Sequence, residues 1–155
     1  MSHPDRVAQQ EELPVFVYGT LRTGQENYVR YLEGKTAREI LATLPEHRMY
    51  VADEYPFVTD AMDDSAVVGD LIFVEPEHYV AVLADLDRLE GYQLDELGSP
   101  YLRVKRSAHY TDAEGATQRI ETWVYHGGLR CLSTMSEGSR VANGDWLTYL
   151  HTRRP

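Results

Sequence analysis

Residues Pro14–Gly24 read PVFVYGTLRTG, a buried strand followed directly by a loop between two glycines. The large apolar and β-branched residues at 15–18 favour a strand that ends abruptly at Gly19. Thr20–Thr23 lie between the glycines, and a helix-like segment begins near Gln25. A loop that leaves a strand in this way can direct unpaired backbone N–H groups into a cavity, where they bind a carboxylate or an oxyanion. The stretch therefore predicts an anion-binding loop after the first strand.

The composition narrows the class of protein. The chain has 155 residues, of which 43% are hydrophobic, and this predicts one folded domain, at residues 13–155. Residues 1–12 are polar and show no pattern, which predicts a disordered tail. A net charge of −10 argues against a nucleic-acid partner, which requires a basic surface. The acidity suits an amine-bearing small molecule and suits plain solubility equally well. We expect no membrane partner and a cytoplasmic location, since no apolar signal core or bilayer-length segment is present; the sequence does not indicate an oligomeric state.

The order of predicted elements indicates an α+β domain built on a small, antiparallel, barrel-like sheet with one main helix. Strand patterns occupy Leu13–Tyr18, two short stretches within Arg38–Tyr50 separated near Pro45, Asp53–Val58, Ala66–Val74, Tyr101–Tyr110 and Thr117–Tyr125. Helical patterns occupy Gln25–Leu32, Pro76–Leu89 and Trp146–Leu150, and Gly127–Gly138 is loop-rich. Gly69, within a strand pattern, predicts a bulge or a close approach of two backbones.

The main helix places a carboxylate on its apolar face. At about 100° per residue, Leu83, Leu86 and Glu90 all fall within about 40° of Tyr79. A carboxylate on this face loses hydration, which raises its pKa towards the working range of a general acid or base. The alternative is structural, because an acidic residue before Gly91 can turn outward or accept a hydrogen bond from a neighbouring strand.

Two segments taken together are similar to a known family. VFVYGTLR at Val15–Arg22 and LDRLEG at Leu86–Gly91 resemble the γ-glutamyl cyclotransferase superfamily, in its γ-glutamylamine cyclotransferase-like (AIG2-like) branch. Weaker similarities occur at Tyr55-Pro56, Gly69, Tyr101 with Arg103, and Tyr125. The resemblance covers residues 15–127, and no motif is identified after Gly128.

This resemblance implies a fold and a set of site residues. The fold is a small mixed, mainly antiparallel β-barrel whose cavity binds a γ-glutamyl group. Glu90, carried by the main helix, is implied as the catalytic acid/base, and Tyr18, Gly19, Thr20 and Leu21 as the substrate-binding loop. Neither a metal nor an organic cofactor is implied.

The implied activity is cleavage of a small-molecule γ-glutamyl amide by the substrate's own α-amine, releasing 5-oxoproline and a free amine. The acidic surface makes a polyamine-like or aminoglycoside-like leaving group attractive, as in the deprotection of an antibiotic intermediate. Two alternatives remain open. One is hydrolysis of the same amide by water, and the other is a non-catalytic domain of the same fold that binds a small ligand.

Several candidate residues have two interpretations. Tyr18 either lines the pocket or ends a strand in the core, and Thr20 either binds substrate or caps the next turn. Tyr55 and Arg103 are further substrate-binding candidates. The alternative for Tyr55 is packing, and the alternative for Arg103 is an ion pair with an acidic residue.

Other catalytic chemistries have little support in the sequence. The six histidines show no short ligand spacing, so we expect no metal site; they stand at positions 3, 47, 78, 109, 126 and 151. Cys131 is the single cysteine, so a disulfide framework is excluded. Its position in a predicted loop makes it a poor candidate for a catalytic nucleophile. A serine-hydrolase elbow and a phosphate-binding loop are both missing from the sequence.

Overall fold

The computed structural model describes residues 12–92 and 98–153. The tail predicted at residues 1–12 lies outside this part, except for Glu12. The strands are β1 (Val15–Val17), β2 (Thr36–Pro45), β3 (His47–Ala52), β4 (Tyr55–Asp60), β5 (Ala66–Val74), β6 (Tyr101–Thr111), β7 (Thr117–Gly127) and β8 (Arg140–Val141). The α-helices are α1 (Glu26–Tyr31), α2 (Tyr79–Leu89), α3 (Leu129–Leu132) and α4 (Trp146–Arg153), with 3₁₀ turns at Pro76–His78 and Glu137–Ser139.

Five strands close into a barrel through the short first strand. β1 pairs antiparallel with β5 and parallel with β7, and the sheet runs β1-β5-β2-β6-β7 back to β1. β4, β3 and β8 continue outward from β7, where Val58 of β4 is in register with His126. The predicted α+β fold, a small mixed and mainly antiparallel barrel with one main helix, is confirmed.

β1 is apolar throughout because both of its faces are buried. Successive side chains of a strand point to opposite faces, and here Phe16 packs in one apolar cluster while Val15 and Val17 pack in another that includes α2. Gly69 lies against this strand, and a Cβ there would come within 2.3 Å of the Val17 carbonyl oxygen. The predicted close approach of two backbones at Gly69 is confirmed, and it fixes the position from which the loop after β1 departs.

The end of α2 determines where Glu90 lies. The N–H of Tyr92 donates to the Asp87 carbonyl at 2.8 Å, and the N–H of Gly91 donates to the Arg88 carbonyl at 3.2 Å. This pair of bonds is a Schellman motif, which requires a left-handed residue, and Gly91 supplies it with φ +69°. Glu90 is consequently held as the residue that caps the helix, one turn beyond the fully buried Leu86.

Some element bounds differ from the sequence prediction. β1 is limited to Val15–Val17 because only these residues pair with β5. The segment Gly127–Gly138, predicted as loop-rich, contains the one-turn helix α3, which is too short to produce a periodic apolar pattern. Within residues 12–92 and 98–153, every helix is too short or too polar to cross a lipid bilayer.

Candidate active site

One cavity of about 460 Å³ is enclosed by the loop after β1, the end of α2, the β3–β4 turn, the adjoining ends of β6 and β7, and α3. The structure brings nearly all of the sequence-predicted site residues to its wall, namely Tyr18, Gly19, Thr20, Leu21, Tyr55 and Glu90. Arg103 is not part of this wall. The residues that the sequence places far apart therefore surround a single space large enough for a small substrate.

Glu90 is half-buried at the cavity wall. Across the described ranges 12–92 and 98–153, its carboxylate has neither a hydrogen-bond donor nor a cation as partner. Burial therefore disfavours the charged form, and it raises the pKa of Glu90 to about 7. A carboxyl group with this pKa populates both protonation states near neutral pH, as a group that accepts and then returns a proton requires.

The loop after β1 is shaped by its own backbone. The N–H of Arg22 donates to the Gly19 carbonyl at 3.0 Å, and the Thr20 carbonyl accepts from the N–H of Asn27 at 3.0 Å at the start of α1. In the part of the chain that the structure describes, the N–H groups of Gly19, Thr20 and Leu21 donate to no protein acceptor. Because Gly19, Thr20 and Leu21 line the cavity, their N–H groups are candidates for binding a ligand there. A larger residue at Gly19 would crowd the cavity, because its Cβ would lie 3.1 Å from Pro56.

Arg22, the last residue of the VFVYGTLR segment, has a structural position that the sequence analysis did not predict. It is buried, and its Nε lies 3.2 Å from Asp70 of β5 while its Nη1 lies 3.2 Å from Asp145 before α4. Asp70 also accepts from the N–H of Thr23 at 3.1 Å. The charge of Arg22 is thus used to anchor the loop to the barrel.

A chain of hydrogen bonds supports the aromatic side of the cavity. The Tyr18 hydroxyl donates to the Tyr125 carbonyl at 2.6 Å, and the Tyr125 hydroxyl donates to Oδ1 of Asp87 at 2.6 Å. Nε of Arg103 donates to the same oxygen at 3.0 Å, and its guanidinium lies 4.3 Å from the centre of the Trp123 ring. The structure thus places Arg103 behind the wall, where it pairs with an acidic residue. Asp87 was not singled out from the sequence, although it belongs to the LDRLEG segment.

The predicted candidates Thr20 and Tyr55 occupy different parts of the cavity. Oγ1 of Thr20 accepts from Nδ2 of Asn27 at 2.7 Å, so this hydroxyl ties the loop to α1. Tyr55 lies at the mouth and is 61% exposed, so its ring remains accessible to a ligand. Tyr101 is more enclosed, and its hydroxyl donates to the Pro56 carbonyl at 2.8 Å.

Two charged residues of the wall, Asp53 and Arg130, were not predicted from the sequence. Asp53 and Glu54 form the two-residue turn between β3 and β4, and both have positive φ, 49° and 71°. This turn brings Asp53 into the cavity wall, and Arg130 of α3 lies in the same wall. Cys131 also lines it, but the thiol donates to the Pro100 carbonyl and burial raises its pKa, which does not favour a thiolate nucleophile.

Outside this cavity, the structure joins two of the histidines. Nε2 of His47 lies 2.9 Å from Nε2 of His126, and Asp60 is next to them. The sequence prediction of no metal site depended on spacing along the chain, and 79 positions separate these two residues. Such spacing carries no information about a pair that only the sheet brings together.

The comparisons with known proteins agree with this geometry. A profile of the family described as gamma-glutamyl cyclotransferase, AIG2-like, matches residues 15–148. The chain belongs to this family. A protein of Methanocaldococcus jannaschii that is provisionally named a gamma-glutamylcyclotransferase is 30% identical over 135 residues, which cover 87% of this chain and 96% of that protein. The predicted membership of the γ-glutamyl cyclotransferase superfamily, in its AIG2-like branch, is confirmed.

Solved structures show the same fold. An AIG2-like protein from mouse superposes with a TM-score of 0.58 at 17% identity, covering 86% of this chain and 87% of the mouse chain. A yeast gamma-glutamyl cyclotransferase specific to glutathione superposes with a TM-score of 0.57 at 12% identity, covering 92% of this chain and 88% of the yeast chain. At these identities the likeness establishes the fold alone.

Proposed function

We propose that this protein is a cofactor-independent cyclotransferase that cleaves a γ-glutamyl amide and releases 5-oxoproline and a free amine. The observation that carries the proposal is the Glu90 carboxyl, which has no partner among residues 12–92 and 98–153 and a pKa raised by burial to about 7, in the same cavity wall as residues 19–21. A proton carrier and an anion-binding loop that face one space are the two groups that this reaction needs.

The reaction proceeds without a protein nucleophile. The Glu90 carboxylate accepts a proton from the substrate α-ammonium, and the resulting amine attacks the γ-carbonyl carbon to close a five-membered ring. Glu90 then gives this proton to the leaving nitrogen as the C–N bond breaks. The second proton lost by the attacking nitrogen leaves with the released amine as its ammonium ion, so that Glu90 is regenerated as a carboxylate.

The barrel contributes by holding the substrate curled. Well-oriented intramolecular reactions reach effective molarities of about 10⁵ M or more, so fixing the α-amine near the γ-carbonyl removes much of the barrier. The N–H groups of Gly19, Thr20 and Leu21 bind either the α-carboxylate or the developing oxyanion. Tyr55 is an exposed residue of the cavity wall, and we expect its ring to cover the bound group.

Two charges in the wall suggest which leaving group is accepted. Asp53 supports a substrate of the γ-glutamylamine type, in which a second amine of a polyamine-like or aminoglycoside-like leaving group pairs with this carboxylate. The net charge of −10 would further attract such a cation. Arg130 supports the second candidate, a γ-glutamyl peptide whose leaving group carries a carboxylate.

The first experiment identifies the product. Wild type and Glu90→Gln are incubated with a panel of γ-glutamyl amines and γ-glutamyl peptides, and the products are measured by mass spectrometry. We expect 5-oxoproline from wild type and none from the variant, while Glu77→Gln, at an exposed position before α2, retains full activity. Free glutamate in place of 5-oxoproline would establish the hydrolase instead, and an unchanged rate in Glu90→Gln would remove Glu90 from the reaction.

A second experiment separates the two leaving groups. If Asp53 binds the leaving amine, Asp53→Asn raises KM for a γ-glutamyl diamine by about 10-fold, the effect of losing about 1.4 kcal/mol of binding. Glu54→Gln is the matched control, because it removes a carboxylate from the same turn but outside the cavity wall. Arg130→Gln should weaken only γ-glutamyl peptides. Equal effects of Asp53→Asn and Glu54→Gln would exclude a specific contact at Asp53.

A further inference from the structure

Three side chains from three strands meet near the hairpin of β3 and β4, which lies outside the five-strand barrel. His47 begins β3, Asp60 ends β4, and His126 lies near the end of β7. One ligand atom of each residue lies within 4.8 Å of the other two. The two Nε2 atoms are 2.9 Å apart, and Oδ1 of Asp60 is 3.3 Å from Nε2 of His47.

Two of these separations approach those of a tetrahedral metal site, and the third, between His126 and Asp60, is within 4.8 Å. A zinc ion with bonds of about 2.0–2.1 Å holds neighbouring ligand atoms about 3.3 Å apart. The 2.9 Å between the imidazole nitrogens needs to increase by only a few tenths of an ångström, and the 3.3 Å between His47 and Asp60 already matches. Two imidazoles and one carboxylate leave a fourth position for water, the arrangement of three-ligand zinc sites.

The groups around the cluster hold its ligand atoms in positions suited to binding a metal ion. Nδ1 of His47 lies 2.9 Å from the Pro45 carbonyl oxygen, which accepts a hydrogen bond when Nδ1 is protonated. This contact leaves the Nε2 lone pair of His47 directed at the cluster, as the outer hydrogen bond of a metal-binding histidine does. Arg106 holds both Asp60 oxygens, at 2.8 Å and 2.6 Å. Its positive charge opposes a cation but fixes the carboxylate, which keeps lone pairs for a ligand.

An entry path exists through a second cavity of about 600 Å³, lined by His47 and Asp60 among others. Asp60 is 56% exposed, so an ion can reach the cluster from solvent. The cluster is separate from the candidate active site, because His126 follows Tyr125 along β7 and successive side chains point to opposite faces of a strand.

We propose that His47, Asp60 and His126 form a binding site for a transition-metal dication of the zinc type. Imidazole nitrogens favour Zn²⁺ and Co²⁺ over Mg²⁺ and Ca²⁺, which prefer oxygen ligands. The site joins β3 and β4 to β7, where Val58 and His126 also pair. The bound ion would therefore attach the β3–β4 hairpin to the barrel. This hairpin carries Asp53 and Tyr55 to the cavity.

The test is a metal titration of the untagged protein, since an affinity tag of histidines would itself bind the probe. Co²⁺ is added and its visible absorption is followed, and Zn²⁺ affinity is measured by calorimetry and by displacement of Co²⁺. We expect one ion per chain and the intense visible bands of a low-coordinate cobalt site. His126→Gln and Asp60→Asn should each weaken Zn²⁺ binding by about 100-fold or more. Loss of an outer-sphere partner costs about 10–100-fold, and loss of a direct ligand should cost at least the upper end of that range.

His109→Gln is the matched control, because His109 lines the same second cavity outside the cluster, and it should bind as wild type does. If the buried His126 variant does not fold, the exposed Asp60→Asn variant alone decides the result. Zn²⁺ should also raise the thermal midpoint of wild type and of His109→Gln but leave that of Asp60→Asn unchanged. The proposal is overturned if wild type shows no cobalt bands, or if Asp60→Asn and wild type bind Zn²⁺ equally; the histidines would then be only a hydrogen-bonded pair.

Discussion

Two carboxylates near the end of α2 have opposite surroundings, although only two residues lie between them in the sequence. Asp87 accepts hydrogen bonds from the Tyr125 hydroxyl and the Arg103 guanidinium. Glu90 faces the cavity without a partner among residues 12–92 and 98–153, and burial raises its pKa to about 7. The difference shows that the neighbouring strands, and not the residue type, make one acid a structural anchor and leave the other available for proton transfer.

The largest expected effect is on catalysis. Under the proposed function, Glu90→Gln lowers kcat for a γ-glutamyl amide by about 10²–10⁴-fold, the usual contribution of a positioned acid/base. Gln has the same size and needs no charge in the cavity, so the thermal midpoint should not fall. Measurement of 5-oxoproline release alongside thermal unfolding checks both statements, and an unchanged kcat in the folded variant would contradict the assigned role.

The second-largest expected effect is on the pH dependence of stability, which reports the raised pKa of Glu90. Its pKa is about 7 in the folded protein against an ordinary value of 4.5, so the folded state binds the proton more tightly than the unfolded chain does. The stabilisation is therefore fully present below about pH 4.5 and is lost as pH rises through about 7, by at most about 3 kcal/mol.

This dependence is isolated by the variant that cannot titrate. Wild type and Glu90→Gln are unfolded with urea at several pH values, and the difference between their free energies of unfolding is plotted. Wild type should become less stable relative to the variant between about pH 4.5 and pH 7 and change little above that range. A difference that is independent of pH would show that Glu90 retains its ordinary pKa.

Asp87→Asn should reduce activity less than Glu90→Gln does, and unlike Glu90→Gln it should reduce stability. Loss of the charge weakens the bonds from Tyr125 and Arg103, and we expect the free energy of unfolding to fall by about 1–2 kcal/mol. Activity should fall modestly, through displacement of Tyr125. Under the proposed function kcat/KM has an inflection near pH 7, set by the pKa of Glu90, and this inflection should persist in Asp87→Asn. Disappearance of that inflection in Asp87→Asn would mean that Asp87, and not Glu90, moves the proton.

Part of the candidate site could be predicted from the sequence because it depends on short-range patterns. The apolar run of β1 and the glycine after it predict the loop, and the apolar stripe of α2 predicts the face that Glu90 shares with Leu86. Asp53 and Arg130 could not be found in this way, because a surface charge in a turn and one in a single helical turn carry no periodic signal. Arg103 was a candidate with two interpretations, and its position became known only with the location of Asp87.

The sequence by itself determined the local features around the site: the strand that ends before Gly19, the helix that ends before Gly91, and the carboxylate between Leu86 and that glycine. These follow from local sterics and from the periodicity of apolar residues. Only the tertiary structure decided that, among residues 12–92 and 98–153, Glu90 has no partner while Asp87 accepts from Tyr125 and Arg103, and that His47 meets His126 across 79 positions. Desolvation and pairing are properties of the neighbours in space, and strands that are distant in the sequence supply those neighbours.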